Sequence, residues 1–168
     1  MDKKTQTTMF SSKSAEWETP KEFYDDLDQR FKFTLDPCAT TANAKCRKFY
    51  TQSDNGLGKD WGGHNVYVNP PYGREIRKWV QKAYEESRKN NTTVVMLIPA
   101  RTDTRYWHDY CMKADYIYFV KGRLHFKNKV IADYAGKTKT SPAPFPSAVI
   151  VFNGKNEGMP FMGVMNNK

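Results

Sequence analysis

The turn Asn69-Pro70-Pro71-Tyr72-Gly73 lies between a run of β-formers, Val66-Tyr67-Val68, and the start of a helical pattern. Its residue types suit one kind of chemistry. An exocyclic amine conjugated to an aromatic ring, such as the 6-amino group of adenine, is a weak nucleophile because its lone pair is delocalised. Acceptors aimed at both N–H bonds favour a pyramidal nitrogen and hold the lone pair towards an electrophile. The Asn69 side-chain carbonyl and the Pro70 backbone carbonyl are two such acceptors. Consecutive prolines fix φ at both positions, so the acceptors are set in advance. Dipoles preorganised in this way stabilise developing charge at little reorganisation cost. Tyr72 offers a flat face for a base, worth about 1–3 kcal/mol, and Gly73 leaves room for the chain to turn. A neutral amide is a poor general base, which argues against hydrolysis. The competing reading is a plain strand-terminating turn, for which Asn, Pro and Gly are common.

Positioning such a turn takes a scaffold, and the flanking patterns supply one. After the turn, Ile76, Trp79, Val80, Ala83 and Tyr84 recur at helical spacing within "REIRKWVQKAYEESRKN", with Asn90-Asn91 as a stop. "TTVVMLIPA" reads as a buried strand, and "DYIYFV" and "SAVIVF" as two more. Upstream, "TPKEFYDDLDQRF" predicts a helix capped by Thr19, with Pro20 at its first position and Glu22 completing a capping box. "FKFTL" is a short β-run leading into "DPCATTANAK", and another short strand is expected around 49–51. A further helix is expected over about 103–113, with Tyr106, Trp107, Tyr110 and Cys111 inward. Alternating strands and helices imply right-handed crossovers, hence an α/β domain whose sheet is largely parallel, with helices covering it. Ligands of such sheets bind outside the carboxyl ends of the strands. That rule gathers Asp36, Asn69 and Pro99 at one edge.

The 168 residues suit one compact domain, and 39% apolar with 14% aromatic residues is enough to fill its core. Residues 1–16 are polar and aperiodic and are expected to form a mobile tail; the domain is placed at 17–153 and a C-terminal tail at 154–168. No apolar run reaches the roughly 18 residues of a membrane span, and the N-terminus lacks a secretory core. Three widely spaced cysteines predict free thiols, and the scattered Cys and His predict no metal site. These features point to the cytoplasm. The net charge is +9, which favours polyanionic partners. Residues 121–146 carry six Lys or Arg and one acid. In this loop Arg123, His125, Lys127, Lys129, Lys137 and Lys139 are candidate DNA contacts, and the loop is expected to order on binding. Arg101, after the strand that ends at Pro99, is another candidate. The competing reading is a solvated loop.

The tetrapeptide at 69–72 resembles motif IV of the S-adenosylmethionine-dependent amino-methyltransferases. The ordered set "WETP", "LDPCAT", "KDW", "VYVNPPYG", "LIPART", "GRLHF" and "APFPSAVIVF" resembles the phage-type (Dam-like) DNA adenine methyltransferase family. The resemblance spans nearly the whole chain. It implies a Rossmann-like methyltransferase sheet with helices on both faces. It also implies that Asn69, Pro70, Pro71 and Tyr72 surround the target amine of a base taken out of double-stranded DNA. S-adenosylmethionine is the implied cofactor. Asp36, with Pro37 and Cys38 in "LDPCA", stands where the family meets its methionine end, and Thr19 and Pro20 line the same end. Asp54 is implied for the ribose hydroxyls, and Asp60 for the cofactor's adenine with Trp61 alongside. One departure is that Cys38-Ala39-Thr40 contains no glycine where many methyltransferases have one. The Asx turn is the competing reading for Asp36-Pro37, and a surface turn for Asp54. The family context implies a phage or prophage gene acting in a bacterial host cytoplasm, and no obligatory protein partner is evident from the sequence.

Alternatives from the residues themselves stay open. The same tetrapeptide could serve RNA adenine, a cytosine amine or a protein glutamine amide, and a non-catalytic DNA-binding module could keep the fold. An oxidoreductase is disfavoured, because no Gly-x-Gly-x-x-Gly follows the first strand.

Overall fold

The computed structural model describes residues 17–126 and 142–167. At its centre is strand β4 (Thr93–Pro99), buried from Val94 onward. Its side chains alternate between two layers, as the period of a strand requires. Val94, Met96 and Ile98 enter one hydrophobic cluster, and Val95 and Leu97 enter the other.

Around β4 the sheet has seven strands in the order β2-β1-β3-β4-β6-β5-β7. The others are β1 (Leu35–Asp36), β2 (Lys48–Phe49), β3 (Asn65–Val68), β5 (Tyr116–Lys121), β6 (Ser147–Phe152) and β7 (Phe161–Asn166). Only β6 is reversed, pairing antiparallel with both β4 and β5. The other pairs, β1 with β2 and β3, β3 with β4, and β5 with β7, are parallel. The expected largely parallel α/β sheet is present.

Helices cover both faces. Helix α2 (Ile76–Ser87) buries Ile76, Trp79, Val80 and Ala83 against Val66, Val68, Val94 and Met96. Helix α1 (Lys21–Phe31) buries Phe23, Tyr24 and Leu27 on the opposite face, against Tyr67, Val95 and Leu97. The end of α1 is tied to the start of β3, where Asn65 Nδ2 donates to Phe31 O at 2.8 Å. Its beginning therefore lies at the carboxyl ends of the strands. Helix α2 ends at Ser87 with Arg88 as its C-cap, before the expected stop at Asn90-Asn91, and Asn91, with φ +54, lies in the turn that leads to β4.

Several elements differ from expectation. Pro20, not Thr19, is the N-cap of α1, and the cap makes no side-chain hydrogen bond. The Thr19 hydroxyl is taken by tertiary partners described below. The "FKFTL" run contributes only Leu35 to β1, because α1 continues to Phe31 and Lys32 follows in a left-handed conformation (φ 53). The helix expected over 103–113 is split. Helix α3 (Arg105–Asp109) ends at Tyr110, whose φ of −129 leaves helical geometry, and a 3-10 turn over Cys111–Lys113 follows. The expected C-terminal tail carries β7, in register with β5 along its whole length. Gly163 makes that pairing possible, since a Cβ there would stand 2.9 Å from the ring of its partner Tyr118. The N-terminal tail and most of the basic loop lie outside the described residues.

Candidate active site

The Asn-Pro-Pro-Tyr turn leaves β3 at the carboxyl edge, and what surrounds Asn69 fixes its amide. Asn69 Nδ2 donates to the backbone carbonyl of Trp17 and to Thr19 Oγ1, the latter at 3.0 Å. Thr19 Oγ1 is in turn hydrogen-bonded to the buried Tyr67 hydroxyl. A backbone carbonyl can only accept, so the amide nitrogen must face Trp17 and the oxygen must face away. Asn69 Oδ1 is buried and has no hydrogen-bond partner among the described residues. A buried acceptor left unmade costs roughly 1–3 kcal/mol. Burial pushes the Tyr67 phenol far above its ordinary range, so it stays neutral as a link in this chain.

Tyr72 reaches across β4 and donates to Leu97 O at 3.2 Å. Its ring meets Phe126 and Phe145 edge-on, with centroids 6.2 and 5.5 Å away. Trp17 closes on the same two phenylalanines at 5.7 and 5.2 Å. Phe126 and Phe145 stand on the two stems of the basic loop, which are joined by Ala143 N donating to Leu124 O at 2.8 Å. The stems of that loop therefore rest on Tyr72. Desolvation raises the Tyr72 phenol well above its ordinary value.

On the neighbouring strand, Asp36 is 3% exposed at the end of β1. Its carboxylate accepts from Cys38 N at 3.2 Å, the expected Asx turn, and from Lys45 N at 3.0 Å. Burial raises its pKa above the ordinary value despite these two amides. Pro37 is buried and Cys38 is half-buried beside it. The missing glycine of the first loop has a counterpart on the next one. A Cβ on Gly56 would lie 1.9 Å from Pro37 O, so the loop after β2 lies directly against the loop after β1. Nothing in "DNGLG" distinguishes that glycine from an ordinary turn residue. Asp54, in the same loop, is exposed. It accepts from Thr51 N at 2.8 Å and Thr51 Oγ1 at 2.7 Å, which lower its pKa. It does close a surface turn, at the carboxyl side of β2.

Asp60 is not brought to this edge, and Trp61 reaches its loops only from inside the core. Lys89 Nζ donates to Asp60 Oδ1 at 2.7 Å and Gly62 N does so at 2.9 Å. Lys89, mainly through its hydrogen bond, holds the Asp60 pKa down to about 2. Lys89 follows the end of α2, and Gly63 N bonds Thr92 Oγ1 just before β4. These partners sit at the amino ends of the strands, opposite Asn69. Trp61 is fully buried and stacks on Trp79 at 6.2 Å, with its indole N–H on Gly56 O. It is a core side chain, and no face of it is open to a ligand.

Of the basic candidates, Arg101 leaves β4 at the carboxyl edge and is half-buried, 3.8 Å from Asp103. Arg123 and His125 follow β5 at the same edge and are exposed, alternating with buried Leu124 and Phe126. Lys127, Lys129, Lys137 and Lys139 lie outside the described residues.

An open sheet with one reversed strand, covered on both faces and carrying Asn-Pro-Pro-Tyr at its carboxyl edge, is a Rossmann-like methyltransferase fold. The family model described as DNA N-6-adenine-methyltransferase (Dam) matches residues 6–167, so the chain belongs to that family. It is 32% identical over 143 residues to the DNA N-6-adenine-methyltransferase of Haemophilus phage HP1 (strain HP1c1), covering 83% of this chain and 79% of that one. It is 36% identical over 110 residues to the DNA N-6-adenine-methyltransferase of Escherichia phage T1, covering 64% and 45%. Over 64 residues it is 34% identical to the putative methyltransferase YfdM of Escherichia coli (strain K12), covering 34% and 70%.

Proposed function

We propose that this protein transfers a methyl group from S-adenosylmethionine to the 6-amino group of adenine in double-stranded DNA, with the base extruded into the Asn-Pro-Pro-Tyr site. The observation that carries the proposal is the unpaired, buried Asn69 Oδ1, aimed by two acceptors that occupy both hydrogens of its amide nitrogen. An acceptor so held receives one N–H of the target amine, and the Pro70 carbonyl takes the other. Proline rigidity keeps both in place before the base arrives. The phage relatives carry the name of the same activity.

The residues present suit a sulfonium donor with an amino-acid end. Asp36 is a desolvated carboxylate whose pKa is raised by burial even with the charge of Lys45 nearby, and a bound ammonium group further stabilises its charged form. Pro37 and Cys38 follow Asp36 in the chain, Thr19 and Pro20 are assigned to the same methionine end by the family resemblance, and Asp54 is assigned to the hydroxyls. Bound there, the donor supplies an electrophilic methyl. The chain's own part is to hold the amine, exclude water and orient the lone pair. Arg101, Arg123 and His125, with Lys127, Lys129, Lys137 and Lys139 of the basic loop, contact the phosphates and position the duplex. The setting is a bacterial cytoplasm, and the described residues contain no helix long and apolar enough to cross a membrane.

The test incubates the protein with methyl-labelled S-adenosylmethionine and, separately, duplex DNA, RNA and protein, followed by nucleoside analysis. Label is expected on N6 of adenine in DNA. Asn69→Ala is expected to lower the rate at least about 100-fold, the scale of losing one preorganised polar group, with donor affinity nearly unchanged. A variant that keeps wild-type activity overturns the proposal.

A further inference from the structure

Among the described residues two buried side-chain polar atoms have no hydrogen-bond partner, Asn69 Oδ1 and Ser147 Oγ. The second has no part in the chemistry described so far. Ser147 is 2% exposed and opens β6. A serine hydroxyl rotates freely and ordinarily turns onto some nearby backbone group. Here it finds none.

Its place in the sheet says what it faces. Along β6, Ala148, Ile150 and Phe152 join the α2-side cluster, and Val149 and Val151 join the α1-side cluster. Alternation therefore sends Ser147 to the α1 side, where Asn69 meets Trp17 and Thr19. Ser147 is in register with Pro99, at the carboxyl end of β4, and Asn69 follows Val68, which is in register with Met96. Only β4 lies between β3 and β6, so the two residues stand two strand spacings apart across the sheet and two residues apart along it, roughly 12 Å. Tyr72 lies over the intervening strand, and Phe145, two residues before Ser147, packs on it. The two orphaned polar atoms thus flank the same aromatic site from opposite sides.

We infer that Ser147 is a substrate-binding residue whose hydroxyl donates to a ring nitrogen of the extruded adenine while Asn69 holds its 6-amino group. The inference rests on the proposed adenine methylation. It also gives the site a means of selecting a purine. A cytosine presents a similar exocyclic amine, and its N3 matches adenine N1, but it has no counterpart of adenine N3 or N7; a bond to either of those two leaves Ser147 unpaired when cytosine is held at Asn69. Sites built to make a buried hydrogen bond reject analogues that cannot complete it.

The experiment compares wild type with Ser147→Ala on duplexes carrying adenine, 1-deaza-, 3-deaza- or 7-deazaadenine at a methylated position. Ser147→Ala is expected to lower kcat/KM on adenine about 10–100-fold, with donor affinity unchanged. One deaza analogue is expected to cost wild type a similar factor and to cost the variant nothing further. Because the hydroxyl has no partner among the described residues, the thermal midpoint of Ser147→Ala should equal or exceed that of wild type, and Ser147→Thr should retain activity. Wild-type activity in Ser147→Ala, or losses that multiply with every deaza analogue, overturns the assignment of Ser147 alone. Failure of wild type to methylate any adenine overturns the underlying proposal as well.

Discussion

At Asn69 a single amide orientation satisfies the neighbours, and that fact does more than the tetrapeptide itself. Trp17 O and Thr19 Oγ1 take the nitrogen's hydrogens, so the oxygen is left without a partner among the described residues. Asp36 shows a related tension. Burial raises its pKa above the ordinary 3.9 or so, and the amides of Lys45 and Cys38 only partly oppose this. With the folded pKa above the unfolded one, the folded state binds the proton more tightly. Asp36 therefore subtracts stability as pH rises from the unfolded pKa through the folded one. A bound cation offsets that loss. Donor affinity measured by calorimetry is accordingly expected to rise with pH through the raised carboxyl pKa and then level off. Asp36→Asn should weaken donor binding about 10-fold or more and flatten the pH dependence. Unaltered binding would leave Asp36 only its role in the loop.

Among the elements, α2 is anchored at both ends of the sheet. It begins just after the Asn-Pro-Pro-Tyr turn and carries Glu86, 4% exposed, in its last turn. Glu86 accepts from Trp61 N at 2.8 Å, from Lys82 at 2.6 Å and from Lys89 at 2.8 Å. Those bonds outweigh the desolvation that raises its pKa, and the net shift is downward. This cluster, with Asp60 on Lys89, ties the backbone of "KDW" to the end of α2. Glu86→Ala strands Trp61 N and removes the partner of two lysines. A loss of about 2–4 kcal/mol is expected from denaturant unfolding, with little change in methyl transfer per folded molecule. A stability loss under about 0.5 kcal/mol, the scale of an ordinary surface change, would contradict the structural assignment.

For the molecule as a whole, charge is the relevant quantity. A net +9 on 168 residues favours a phosphate backbone, and the exposed Arg123 and His125 leave β5 at the same edge as Asn69. Each phosphate contact contributes about 0.9 to the slope of log K against log salt on B-DNA. Replacing Lys127 and Lys129 together by Gln should lower that slope by roughly two and weaken binding similarly across sequences, as phosphate contacts do. Titrations of wild type and variant at several salt concentrations would measure it. An unchanged slope would clear the loop of phosphate contact.

Much of this was legible in the chain. Helix α2 and strands β3 to β6 announce themselves because burial on one or both faces demands periodic or continuous apolar residues, and those patterns are local. The strand-end position of Asn69 and Asp36 follows from them. Other features depended on partners distant in sequence. Thr19 satisfies a capping pattern, yet its hydroxyl goes to Tyr67 and Asn69, because a buried tertiary network outcompetes an exposed cap. Trp61 beside an acid suggests a ligand-binding face until burial against Trp79 removes it. Strand β7 has no amphipathic period, being largely exposed on both sides, and only its register with β5 reveals it. By itself the sequence determined the layers and the chemical character of the carboxyl edge, since both arise from neighbours along the chain. Which polar atoms remain unpaired there, Asn69 Oδ1 and Ser147 Oγ, was decided by the tertiary structure, because a missing hydrogen bond is defined by everything that surrounds it.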